Sequence, residues 1–218
     1  MSRRTFAIGD LHGCLLHLER LLVAIEYAPE THRLIFLGDY VDRGPDAAGV
    51  IDRVLGLKEA NPEIITLMGN HERMFLDFLD GTHTKPFLYN GGRQTLASYQ
   101  RREGTWQKIA GRATIPEDHI AFLRGLPLIH TTPTHIFVHA GLRPDVPVEE
   151  QTEEDMLWIR EAFFTVPNTR DRTIVFGHSP MVEPFRHDGM VGIDTGACYR
   201  GPLTAYEVEA DRFVSVVP

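Results

Sequence analysis

The sequence predicts an α/β fold, and three observations carry that prediction. Strand-like and helix-like patterns alternate through the first eighty residues. Several apolar runs stop abruptly at polar residues, and the last third is rich in short strands. Strand–helix–strand repetition of this length implies parallel pairing with right-handed crossovers.

In chain order, "TFAI" (5–8) reads as a short buried strand. "LLHLERLLVAI" follows with Leu15, Leu18, Leu21, Leu22 and Ile25 at helical spacing. "RLIFL" (33–37) is a second strand, and "DAAGVIDRVLGLKEA" is a helix with Asp46 near its start. "EIITLM" (63–68) and "ERMFLDFL" repeat the unit. Between 81 and 126 the character changes. "NGGRQTLASYQRR" and "PEDHIAFLRGL" read as helices on polar, Gly-rich connections, a helical cap or insertion beside the sheet. Strands return at "HIFVHAG", "TIVFGHSP", "GMVGID", "LTAYEVE" and "RFVSVV", interrupted by one helix, "EEDMLWIREAFF" (153–164). No linker or low-complexity tract divides the chain, so residues 1–218 are expected to form a single domain.

A hydrophobic fraction of 43% is enough for a sizeable core. The net charge of −8 disfavours a nucleic-acid partner, which usually meets a basic stripe. Bound divalent cations can still reverse the field of a small site. Cys14 and Cys198 stand far apart in no CxxC pattern, which suits a reducing compartment. The start carries no apolar signal segment. The longest apolar stretch, "LLVAI", falls well short of the roughly 18 residues of a membrane span. A cytoplasmic, soluble protein with no membrane partner is expected.

The chemistry sits where strands stop. "FAIGDLHG" supplies Asp10 and His12, "IFLGDYVDRG" supplies Asp39, Asp42 and Arg43, and "TLMGNHE" supplies Asn70, His71 and Glu72. "IFVHAG" supplies His139 and "IVFGHSP" supplies His178. Ligands of open α/β sheets bind outside the carboxyl ends of the strands, so strands in one sheet core would bring all five clusters together. Singly, an Asp or Asn after glycine is a turn former and a lone histidine a solvated or satisfied group. Five clusters behind five apolar runs make a shared site the better reading. Carboxylate, imidazole and amide oxygen without thiolate suit Mn²⁺, Fe²⁺ or Zn²⁺. The groups exceed the needs of one ion, whereas two ions sharing a carboxylate would use them. The remaining histidines lack this context and read as surface or structural residues. P-loop, HExxH and GxSxG motifs are missing, and "NGGR" (90–93) is at most a weak anion-binding loop.

With "GDLHG", "GDYVDRG", "GNHE", "VHAG" and "GHSP" in this order, the chain resembles the phosphoprotein phosphatase family of metallophosphoesterases, nearest its short bacterial and phage serine/threonine phosphatases. "NGGRQTLASY", "LWIREAFF" and "IDTGACY…GPLTA" extend the resemblance over nearly the whole chain. It implies two mixed β-sheets flanked by helices. It implies two divalent metal ions, Mn²⁺ first with Fe or Zn as alternatives. Asp10, His12 and Asp39 would hold one ion, and Asp39, Asn70, His139 and His178 the other. His71 matches the general acid, Asp42 its partner, and Arg43 and Arg160 the phosphate-binding arginines, with Asn70 also at the phosphate. Arg200 in "CYRGPL" stands where relatives commonly have glycine.

On this basis the expected function is hydrolysis of phosphoserine or phosphothreonine in proteins, with phosphotyrosine open, by attack of a hydroxide bridging two cations. The alternative is a dinucleoside polyphosphate hydrolase such as the related bacterial diadenosine tetraphosphatases. Those enzymes tend to lose the second Asp of GDxVDRG, so Asp42 favours the first reading. A non-catalytic phospho-ligand binding module is disfavoured, because every ligand and acid of the pattern is intact. The expected partner is a phosphoprotein or a small phosphorylated molecule.

Overall fold

The computed structural model describes residues 3–102 and 115–217. The chain begins β1 (Arg4–Ile8), α1 (Leu15–Ala24), β2 (His32–Phe36), α2 (Ala47–Ala60), β3 (Ile65–Thr66) and α3 (Asn70–Leu79). Four helical segments follow: α4 (Thr84–Phe87), a π-type turn (Leu88–Gly92), α5 (Arg93–Arg102) and α6 (Glu117–Arg124). The second half holds β4 (Ile129–Thr131), β5 (His135–Val138), α7 (Glu153–Trp158) and α8 (Glu161–Phe164). It ends with β6 (Thr173–Phe176), β7 (Phe185–His187), β8 (Met190–Gly192), β9 (Leu203–Glu207) and β10 (Arg212–Val216).

The strands form two mixed sheets, ordered β10-β9-β1-β2-β3 and β4-β5-β6-β8-β7. Within the first, β1, β2 and β3 are parallel, while β9 is antiparallel to both β1 and β10. Within the second, β5, β6 and β8 are parallel and the outer β4 and β7 are antiparallel. Because side chains alternate across a strand, each sheet serves two cores. Ala7, Ile35 and Tyr206 of the first sheet meet Phe137, Val175 and Val191 of the second. Their neighbours Phe6, Ile8, Leu34 and Phe36 face α1, α2 and α3. Ile136, Val138, Ile174 and Phe176 face α7 and α8. The result is four layers, helices–sheet–sheet–helices, as the two-sheet expectation has it.

The five polar strand ends come from both sheets and meet at one common edge. The single helix expected over 153–164 is corrected. It breaks at Ile159 and Arg160, whose backbones leave the helical region. Arg160 thereby turns its guanidinium back to the carbonyl of His178 (3.3 Å) and Ser179 Oγ (3.4 Å). The short edge strands β4 and β7 carry no apolar alternation that sequence reasoning could use.

The helices of 81–126 pack on α2 and α3. Ser98 Oγ accepts from the Ala48 N–H (3.0 Å), and Phe87 stacks on Phe75 at 5.1 Å. Residues 103–114 of the expected cap lie outside the described residues. Among the described residues no helix is long and apolar enough to cross a membrane.

Candidate active site

The loops after β1, β2, β3, β5 and β6 deliver Asp10, His12, Asp39, Asp42, Asn70, His71, His139 and His178, none more than 5% exposed. Their backbones are held in an uncommon way. His12, Asp39, Asp42, Arg43 and His178 all have φ between +42° and +71°, the left-handed region that non-glycine residues avoid. Each such residue costs on the order of 1–3 kcal/mol, so the surrounding contacts must over-determine the loops. They do so in part by cross-bonding. The N–H groups of Leu11 and His12 both donate to the Asp39 carbonyl (3.1 and 2.7 Å), and that of Gly13 donates to Tyr40 (2.9 Å). Gly177 allows a close approach, since a Cβ there would stand 2.1 Å from Asp10 Oδ1.

Asp39 lies at the middle. Its Oδ2 is 3.3 Å from His12 Nε2 and 3.9 Å from His71 Nε2, while its Oδ1 is 3.5 Å from His139 Nε2. Two groups of donors therefore share this carboxylate: His12, Asp39 and His71, and Asp39, His139 and His178. The histidine tautomers are fixed from behind. Nδ1 of His12 faces the Val41 carbonyl at 2.8 Å and Nδ1 of His139 faces that of Leu37 at 3.0 Å. A carbonyl only accepts, so both rings carry their proton on Nδ1 and turn a bare Nε2 toward Asp39. Asn70 Oδ1 stands 3.0 Å from both His139 Nε2 and His178 Nδ1. His139 thus meets an oxygen with a lone pair rather than a proton, and His178 Nε2 is buried without a partner. Converging acceptors of this kind are the surroundings a divalent cation requires.

Electrostatics lead to the same place. Burial, then Asp194 and Asp39, push the Asp10 carboxyl well above the usual range; burial, then Glu72, do the same to Asp39. Burial lowers His139 to about 3 and His178 to about 2, so these rings are neutral and able to ligate. A set of buried carboxylates faced only by Arg43 and Arg160 has a surplus of negative charge that divalent cations would offset.

His71 Nδ1 sits 2.7 Å from Asp42 Oδ2. Asp42 is itself gripped, its N–H donating to Thr95 Oγ1 (2.8 Å) and its Oδ1 accepting from the Thr95 hydroxyl (2.6 Å). Burial, then His12 and Arg43, press His71 well below its ordinary value. Burial likewise presses the Asp42 carboxyl upward. Arg43 lies against His12 Nε2 and over the Tyr199 ring, 5.5 Å from its centroid. Arg160 reaches the same floor through the His178 carbonyl. Every residue expected at the site is therefore at one place. Asp10 enters at the edge, both its oxygens accepting from the His178 N–H (3.2 and 3.1 Å).

Asp194 and Thr95 are participants that no motif names, and Glu72 was expected at the site without a role. Asp194 is buried and near enough to Asp10 to push its carboxyl up, and only its place after an apolar run could have signalled it. Thr95 comes from α5 with no motif around it. Glu72 accepts from the N–H groups of Asp39 (2.7 Å), Tyr40 (2.8 Å), Val41 (3.2 Å) and Gly69 (2.9 Å). "NGGR" lies against the backbone of Arg43, whose N–H donates to the Gly91 carbonyl (3.3 Å). Gly91, at φ +106°, approaches Arg43 so closely that a Cβ would stand 2.6 Å from its nitrogen. Arg200 adopts φ +70°, which accounts for the glycine common there in relatives.

Residues 3–212 match the family model of calcineurin-like phosphoesterases. The chain belongs to this family. It is accordingly a phosphoester hydrolase with a site fit for divalent metal ions. Among curated relatives of this calcineurin-like phosphoesterase, a bis(5'-nucleosyl)-tetraphosphatase PrpE [asymmetrical] of Oceanobacillus iheyensis is 31% identical, over 96% of this chain and 90% of the relative. In three dimensions it resembles a candidate diadenosine tetraphosphatase (TM-score 0.76, 24% identity, 100% of this chain and 94% of that one). It also resembles the cold-active protein-tyrosine phosphatase of a Shewanella species (TM-score 0.68, 17% identity, 100% and 78%). Both likenesses bear on the fold alone.

Proposed function

We propose that this calcineurin-like phosphoesterase hydrolyses dinucleoside polyphosphates, with diadenosine tetraphosphate as the first substrate to test. The observation that carries this reading is the near-full-length similarity to bis(5'-nucleosyl)-tetraphosphatases. It reverses the order of preference that Asp42 suggested. The geometry explains why Asp42 is a poor discriminator: it orients His71 through Nδ1, and that service is useful whatever group leaves.

In this reading Asp10, His12 and Asp39 hold one cation and Asp39, Asn70, His139 and His178 the other, with Mn²⁺ first and Fe²⁺ or Zn²⁺ suited to the same donors. When bound, such a pair activates water near neutral pH and offsets charge on phosphate oxygens. The chain's own residues do the rest. Arg43 and Arg160 grip non-bridging oxygens, where a planar fork meets two oxygens at once. Asn70 Oδ1 stands between His139 and His178 as an amide-oxygen ligand. His71, held by Asp42 and Thr95, presents Nε2 to the leaving oxygen and delivers a proton there. Asymmetrical cleavage of a tetraphosphate releases AMP and ATP, so the leaving group is itself a phosphate and needs less protonation than an alkoxide.

A second reading, hydrolysis of phosphoserine or phosphothreonine, is favoured by the intact, buried Asp42–His71 pair, since a poor alkoxide leaving group benefits most from it. One assay separates the two. The Mn²⁺-loaded protein is expected to show kcat/KM for diadenosine tetraphosphate at least about tenfold above that for phosphoserine, phosphothreonine and phosphotyrosine peptides, a difference of about 1.4 kcal/mol in transition-state binding. Equal or higher kcat/KM on a phosphopeptide would return the assignment to a protein phosphatase.

A further inference from the structure

A groove of about 720 Å³ opens beside the active site, between α3 and α7. This is within the roughly 300–1,000 Å³ of small-molecule clefts. Its lining includes Arg73, Met74, His83, Glu153, Glu154 and Trp158. Two of the groove's walls belong to elements that also serve the active site. Arg73 and Met74 follow His71 and Glu72 on α3, and the Trp158 ring stands edge-on to His178 with centroids 6.3 Å apart.

The chemistry of the walls selects an occupant. Trp158 is 38% exposed, an unusual state for so large an apolar ring, and presents a surface on which a planar group can stack. Glu153 and Glu154 are exposed acceptors on α7, while Asp77 is taken up by Arg73 (2.9 Å). The Nε–H of Arg73 is buried without a partner. Such walls repel a phosphate chain. They favour a neutral, planar, hydrogen-bonding group: a purine base on Trp158, with ribose hydroxyls or an exocyclic amine donating to the glutamates.

We propose that this groove is the subsite for the nucleoside attached to the attacked phosphate; the proposal rests on the dinucleotide reading above. Trp158 stands against the His178 ring, so a nucleoside stacked on Trp158 lies beside the residues assigned to the cations. That places the α-phosphorus, not a central one, at the site of attack, and the cut is asymmetrical: water adds to the α-phosphorus, the α–β bridging oxygen leaves with the longer chain, and AMP and ATP result.

The test uses AMP and ribose 5-phosphate as competitive inhibitors of p-nitrophenyl phosphate hydrolysis, together with turnover of diadenosine tetraphosphate. In the wild-type protein AMP is expected to bind at least about tenfold more tightly than ribose 5-phosphate, the size that stacking of one base supplies. Trp158→Ala is expected to shrink that gap to about twofold and to raise KM for the dinucleotide about tenfold; Trp158→Phe restores both. If the wild type cleaves the dinucleotide and the gap survives Trp158→Ala, the subsite is wrong while the dinucleotide reading stands. If the gap behaves as expected but the dinucleotide is not cleaved, the dinucleotide reading fails and the groove is a nucleotide site of another reaction. If the wild type shows neither gap nor cleavage, both fail. Should Trp158→Ala lose all turnover, the paired Glu153→Gln, Glu154→Gln variant decides. AMP is then expected to weaken about threefold or more against inorganic phosphate, and an unchanged ratio overturns the proposal.

Discussion

Asp42 and His71 show how much one contact can decide. At 2.7 Å and fully enclosed, the pair has no solvent to reorient it, so Nε2 of His71 points to the reaction centre in every copy of the folded chain. Removing the proton donor should matter in proportion to the leaving group's need. His71→Asn is expected to lower kcat on phosphoserine by about 10²–10⁴-fold and on diadenosine tetraphosphate by about tenfold or less. Equal losses on both substrates would remove the general-acid role. At this scale most of the site was legible in the sequence, because each ligand type stands directly behind an apolar run. Thr95 and Asp194 were not legible. Thr95 reaches Asp42 from a helix 53 residues away, and a lone threonine in a helix carries no signal of what it will touch. Asp194 looks like a turn residue until the fold sets it against Asp10.

Elements hold the site open against its own strain. The start of α3 places Glu72 beneath the loop after β2, where four backbone N–H groups converge on one carboxylate. Glu72→Gln replaces one acceptor oxygen by an amide that faces those donors. Unfolding in urea is expected to show a loss of about 3 kcal/mol, together with weakened activity. A loss under about 1 kcal/mol would mean the loop holds itself. At the far side, Glu207 ties β9 to β1 and β10: Arg4 donates to it from Nε (2.7 Å) and NH2 (3.1 Å), and Arg212 from Nε (2.7 Å). Arg4 and, against the opposing effect of burial, Arg212 bring its carboxyl down to about 2 from an ordinary 4.5. A folded value below the unfolded one stabilises the ionised form. The contribution is present above about pH 4.5 and is lost as the pH falls toward about 2. Solvent at the partly exposed arginines screens it to about 1–2 kcal/mol. Between those pH values the wild type should lose that much more stability than Glu207→Gln; parallel curves would contradict the assignment. The helical and strand patterns made β1, α1, β2 and α2 legible. The break at Arg160 was not, because the pull on that residue comes from the His178 loop and not from its neighbours in sequence.

For the whole molecule, the alternation of strand and helix correctly implied the parallel pairing of β1, β2 and β3, and the order of motifs implied one meeting place. What alternation could not show is that the meeting place lies across two sheets. Residues such as Ala7 and Val175 read as ordinary core in any α/β arrangement, and only the folded chain shows them packed face to face. That packing fixes the distance between the loops of the two sheets and lets Asp39, from the first, face His139, from the second. The account therefore turns on Asp39 as the carboxylate common to two cations. The most direct measurement is metal content after equilibration with excess Mn²⁺ and removal of free metal, made on the wild type and on Asp39→Asn with retained secondary structure checked alongside. Two ions per chain are expected in the wild type and at most one in Asp39→Asn. Two ions retained by Asp39→Asn, or no more than one in the wild type, would contradict a centre built on a shared Asp39.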